Sequence, residues 1–189
     1  MKSVYTMAFA VAVLAGSTSV AEDLKSGLQP GQKIGAFDVV KISGADSDGV
    51  KQGAQLCYRC RYGARPQVMI FTRSTGENVA MLSQQIDELV AKNSEKKLAS
   101  FVNLLGENRE KLEATAKEFG AANKLANVPV VVPVEFENGP ADYGVSPKAD
   151  VTVIFAVKGD VKGNLSFSKD GLDKDAVKKV VAEVAKILE

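Results

Sequence analysis

Three continuous apolar runs dominate the chain: 67–73 (QVMIFTR), 98–105 (LASFVNLL) and 128–136 (VPVVVPVEF). Runs of this length, rich in Val, Ile and Phe, read as strands buried on both faces of a sheet. Between them the pattern changes period. From Asn78 to about Lys92, Val79, Leu82, Ile86, Leu89 and Val90 recur at three- and four-residue steps, which is one face of a helix that Ser74 or Thr75 could cap. A second helix is expected over 107–122, with Leu112, Ala116 and Phe119 inward. Strand–helix–strand alternation of this kind requires a sheet with parallel neighbours and helical cover.

Earlier and later segments complete the sheet. Residues 36–43 (AFDVVKIS) read as a short strand, followed by a Gly-rich loop over 44–55. Residues 151–157 (VTVIFAV) and 164–168 (NLSFS) flank KGDVKG as an antiparallel hairpin, and Asp173 caps a last helix striped by Val177, Val180, Val181, Val184, Ile187 and Leu188. Pro129 and Pro133 suggest an edge or bulged position for the third apolar run. The fold class is therefore α/β, a central mixed sheet with helices on both faces.

The first 21 residues stand apart. One Lys, an apolar run from about Val4 to Leu14 and small residues ending at Ala21 have the layout of a secretory signal peptide cleaved after Ala21. The run is shorter than the roughly 20 apolar residues needed to span a bilayer. The organisation expected is a leader over 1–21, a polar lead-in over 22–35 and one domain over 36–189, exported to the periplasm or secreted. No membrane association is expected after cleavage.

Composition excludes several chemistries. With no histidine, Ser-His-Asp and Cys-His catalysis and all His-ligated metal sites are ruled out. Two cysteines cannot close a tetrahedral zinc site within one chain, although two chains could pool four. No metal and no other cofactor is expected. The chain has 24 Lys+Arg and 23 Asp+Glu, and without Lys2 of the leader the two balance, so nothing argues for nucleic acid. Asp46 and Asp48 in GADSDG echo the start of a calcium loop, but the terminal Glu is missing and a turn is expected.

The order of elements, with 143–167 (YGVSPKADVTVIFAVKGDVKGNLSF) as its most specific stretch, resembles the thioredoxin-like superfamily. The likeness is to its TlpA-like and peroxiredoxin-like branches and extends over about residues 34–189. It implies a three-layer α/β/α sandwich. It also implies that reactive cysteines follow the first core strand, where the next helix begins. That loop is here 72–78 (TRSTGEN) and holds no cysteine, so neither a Cys-x-x-Cys nor a peroxidatic cysteine carries over. The cis-proline the family places before its substrate-facing strand has no direct match, since Asp150 precedes VTVIF and the nearest proline is Pro147.

The cysteines lie before that strand, in Cys57-Tyr58-Arg59-Cys60-Arg61. A two-residue spacing lets the sulfurs meet within one tight turn. Cationic neighbours lower a thiol's pKa, so Arg59 and Arg61 are candidate thiolate-stabilising partners of catalytic Cys57 and Cys60. By family analogy Cys57 attacks and Cys60 resolves, and the partner is a protein thiol or disulfide. The opposing reading is a non-enzymatic binding module whose disulfide is structural, as a lone close pair commonly oxidises outside the cytosol. Other features carry less. Arg73–Asn78 could bind an anion but is better read as a capped helix start, and Asp150 as a turn acid.

Overall fold

A computed structural model describes residues 24–189, and the expected leader lies outside them. Seven strands form one mixed sheet in the order β2-β1-β5-β4-β3-β6-β7. They are β1 (Val39–Ser43), β2 (Gln55–Leu56), β3 (Gln67–Thr72), β4 (Ala99–Leu104), β5 (Val130–Pro133), β6 (Val151–Val157) and β7 (Asp160–Phe167). β3, β4 and β5 run parallel, while β1 and β6 join them antiparallel. β3 and β4 are buried along their whole length, as their unbroken apolar runs require.

The two crossovers, through α2 (Glu77–Lys92) and α3 (Arg109–Asn123), step in the same direction along the sheet, so one handedness rule puts both helices on one face. The last helix, α4 (Lys174–Lys186), packs beside α2 there. Val79, Leu82 and Ile86 of α2, Phe119 of α3 and Val177, Val180 and Val184 of α4 share one core with Val68, Ile70, Val102 and Val153 of the strands. Asp173 caps α4 as expected, its Oδ1 accepting from the Ala176 amide at 2.8 Å. α2 starts differently: Gly76 is its N-cap and supplies no side-chain bond, so neither Ser74 nor Thr75 serves.

The opposite face carries Met69, Phe71, Phe101, Val131 and Ile154, and its cover is of another kind. A short helix, α1 (Tyr58–Tyr62), a 3-10 turn (Ala141–Tyr143) and the chain from Leu24 to Asp38 lie over it. Within that stretch Leu28, Ile34 and Phe37 are buried, and Phe37 meets Tyr143 edge-on at 4.9 Å. Backbone bonds from Gly31 N to Val161 O and from Val161 N to Gln32 O stitch it to β7, while Ser26 Oγ meets Thr152 Oγ1 at 2.6 Å. A helix was not expected at 58–62, because five residues are too few to display a helical period.

β5 is an interior strand, between β1 and β4, so its prolines do not mark an edge. They sit where a missing N–H costs little. Pro133 ends the strand, Pro129 precedes it and contributes only its carbonyl, to Val102 N, and the irregularity is a register shift in β1 between Lys41 and Ser43.

Candidate functional site

Cys57 and Cys60 form a disulfide across the first turn of α1, with Cα atoms 5.2 Å apart. Cys57 is the N-cap, and its Sγ accepts from the Cys60 amide at 3.1 Å. Cys60 is exposed, whereas Cys57 is half-buried. The helix is held to the sheet by aromatic contacts. The fully buried ring of Tyr58 stacks on Phe101 at 5.8 Å, Tyr62 tilts against the same ring, and Tyr62 Oη donates to Ser100 O. The disulfide thus rides on the outside of the second face, over the β4 side of the sheet.

Beneath it lies a group the sequence reading passed over. Lys41 of β1 is fully buried, and its ammonium has three acceptors for three protons: Ala45 O at 2.9 Å, Asp48 Oδ1 at 2.8 Å and Val50 O at 2.9 Å. Asp48 also accepts from the Val50 amide and, through Oδ2, from Tyr58 Oη at 2.5 Å. Burial alone would raise the Asp48 pKa, but the bonds from Lys41, Tyr58 and Val50 outweigh it and hold the carboxyl below its usual value. Burial first, and then the Asp48 carboxylate, push the Tyr58 phenol well above its ordinary range, so it stays a neutral donor. The signal was available: Lys41 lies two residues from Val39 and so on the same face of β1, and an Asp follows seven residues later.

The two arginines take separate directions. Arg61 donates from Nη2 to Asp48 O at 2.7 Å, tying α1 to the same loop. Arg59 extends toward the β6–β7 hairpin, where a Cβ on Gly159 would lie 3.3 Å from its Nη2. Its Nε is buried without a hydrogen-bond partner among the described residues. Of the two disulfide sulfurs, Cys57 Sγ accepts a hydrogen bond, from Cys60 N, and none to Cys60 Sγ occurs among the described residues.

The loop after β3, where the resemblance puts the chemistry, is occupied by an internal brace. Arg73 donates to Ala149 O, Glu137 O and Asn138 Oδ1, its amide donates to Asp150 O, and Ser74 Oγ donates to Asp150 Oδ2 at 2.5 Å. Desolvation lowers the Arg73 pKa, and nearby Asp150 partly restores it. A cavity of about 470 Å³ remains beside this loop, lined among others by Arg73, Thr75, Leu104, Asn108 and Lys111, with no thiol. No cis peptide occurs among the described residues, so the cis-proline edge is missing, and Asp150 stands in its place as a brace residue.

No protein-family model matches the chain, and no curated protein does. Solved structures do. A provisionally named thiol:disulfide interchange protein DsbE from Chlorobium tepidum superposes with a TM-score of 0.63 at 14% identity, covering 86% of this chain and 99% of its own. A provisionally named protein disulfide isomerase from Bacteroides thetaiotaomicron gives 0.59 at 14% identity, covering 87% and 94%. Peroxidoxin BcpB from Mycobacterium tuberculosis gives 0.56, also at 14%, covering 85% and 98%. The chain has the thioredoxin-like fold. At these identities the likeness is one of architecture, and the departures described above are this chain's own. Among the described residues no helix is long and apolar enough to cross a membrane.

Proposed function

We propose that this protein is an exported thiol–disulfide oxidoreductase working through Cys57 and Cys60. The observation that carries the reading is a disulfide in which Cys60 is an exposed residue and the sulfur of its half-buried partner Cys57 already accepts an amide hydrogen bond. That bond favours Cys57 as the leaving thiolate. A substrate thiolate attacks Cys60 Sγ, the Cys57–Cys60 bond breaks, and Cys57 departs as a thiolate while a substrate–Cys60 bond forms. A second substrate thiolate then attacks the substrate sulfur of that mixed disulfide and releases Cys60. Two electrons pass from the substrate dithiol to the protein, which ends as a dithiol, and the reverse sequence reduces a substrate disulfide. These roles reverse the order that family analogy assigns. Arg59 and Arg61, which flank Cys60 and follow the leaving Cys57 by two and four residues, add positive charge that favours thiolates.

A second reading rests on the brace around Arg73. With the usual site filled by internal bonds, the fold could serve as a non-enzymatic binding module and the disulfide as a clip on α1. Redox titration separates the two. A potential above about −250 mV, with reduction by glutathione or thioredoxin, supports exchange; one below about −300 mV, with insulin reduction equal in wild type and Cys57→Ser, overturns it.

A further inference from the structure

The chain is close to neutral, but its charge is unevenly placed. Between Asp48 and Glu77 the sequence holds Lys51, Arg59, Arg61, Arg65 and Arg73 and no acid at all. Arg73 belongs to the brace at the other end of β3. Arg59 and Arg61 lie in α1, and Arg65 follows it, its amide donating to Tyr62 O. The acid nearest the disulfide helix, Asp48, is spent: its carboxylate is turned inward onto Lys41, Val50 N and Tyr58 Oη, so it cancels a buried charge and leaves the surface ones alone. Among the described residues none of Lys51, Arg59, Arg61 or Arg65 forms a salt bridge. A bond from Lys158 N to Ala64 O brings the exposed Lys158 of the hairpin close to Arg65, the residue after Ala64, and Arg59 reaches the same hairpin at Gly159. Asp160 of the hairpin is paired with Lys33, Asp38 accepts from Gln55, and the exposed Asp46 lines a cavity beside α3.

We infer that the partner of this disulfide is a protein that presents its cysteines on an acidic segment, drawn in by the cationic collar of Arg59, Arg61, Arg65 and Lys158. The inference rests on the exchange reading above and adds the chemistry of the partner. Unpaired surface charges of one sign act mainly on encounter, raising the rate for a complementary partner and fading with salt. A cation beside the reacting sulfurs also favours the thiolate in the mixed disulfide.

The test uses the oxidised full-length mature protein and three synthetic dithiol peptides of the same length, in which the Cys-x-x-Cys is flanked by Glu, Gln or Lys. Each rate is divided by that peptide's rate with a neutral aromatic disulfide, which removes differences in intrinsic thiol reactivity. The expected result is a normalised preference for the Glu peptide over the Lys peptide of about tenfold or more at low ionic strength. The preference should shrink several-fold in 0.5 M salt, where the Debye length is only a few ångströms, and in the double variant Arg65→Gln/Lys158→Gln. Equal normalised rates, or a preference that survives both salt and the double variant, overturn the acidic partner and leave exchange standing. No reaction with any of the three peptides overturns the exchange reading itself.

Discussion

Asp48 binds Lys41 through one carboxylate oxygen, at 2.8 Å, and the phenol of Tyr58 through the other, at 2.5 Å. One side chain therefore joins a buried charge in β1 to the residue that follows Cys57. Removing either end of the ion pair has unequal effects. Asp48→Asn strands an ammonium with no exposure, which by analogy with broken buried pairs costs about 3–5 kcal/mol. Lys41→Met leaves a carboxylate that is 18% exposed and keeps its bonds from Val50 and Tyr58, so the loss is smaller. Urea denaturation of the two variants checks the order, and a Lys41→Met protein less stable than Asp48→Asn would refute it.

The same carboxylate sets an acid limit. Its pKa in the folded protein lies below the unfolded value of about 3.9, so the stability it contributes is complete above that value and is lost as pH falls through the folded pKa. Urea midpoints measured from pH 5 down to pH 2 should fall more steeply in the wild type than in Asp48→Asn, which has no proton to gain at this position. Parallel curves would remove Asp48 from the account of acid sensitivity.

Accessibility makes a separate statement about the two thiols. Cys57→Ser retains the exposed Cys60, and Cys60→Ser retains the half-buried Cys57. With oxidised insulin as the bulky disulfide, Cys57→Ser should form the mixed disulfide several-fold faster, because access limits attack by the inner sulfur. Intact-mass spectrometry over time reads the adduct directly. Faster capture by Cys60→Ser would restore the order assigned by family resemblance.

Gly120 offers a contest between two effects of opposite sign. Helix propensity alone makes Gly→Ala in α3 stabilising by about 1 kcal/mol. A Cβ there, however, would come within 2.8 Å of the Ser43 side-chain carbon and nearer still to its Oγ, which is donating to Ala116 O at 2.6 Å. Overpacking of that kind costs about 1–3 kcal/mol, so Gly120→Ala should destabilise. Adding Ser43→Gly should recover part of the loss, and thermal unfolding of the single and double variants measures the coupling.

How far the residues alone disclosed this molecule depended on whether a pattern was long enough to repeat. The expected strand over 151–157 is β6, and those over 67–73 and 98–105 differ from β3 and β4 by a residue at an end or two. Each is a run in which every position meets a core, so composition alone marks it. α1 is a single turn and a half, and β2 only two residues, so neither has a period to read. The placement of β5 inside the sheet could not be told from its prolines, because their effect depends on which N–H the neighbouring strand needs. The cysteine pair was visible at once, but what supports it was not. Lys41, Asp48 and Tyr58 come from a strand, a loop and a helix turn, and only the fold brings them to one point.

The stretch between Leu24 and Asp38 has a meaning beyond the core it fills. β7 is an edge strand of eight residues, and such an edge offers unpaired amides and carbonyls to any strand that approaches. Here Gly31 and Gln32 take up the outward groups of Val161, Ile34 N binds Gly159 O, and Asn164 and Ser166 reach over to Ser26 and Leu28. The chain acts as its own guard against self-association. A protein begun at Ile34 would present that edge to its copies, and its first fault would be aggregation rather than any loss at the cysteines.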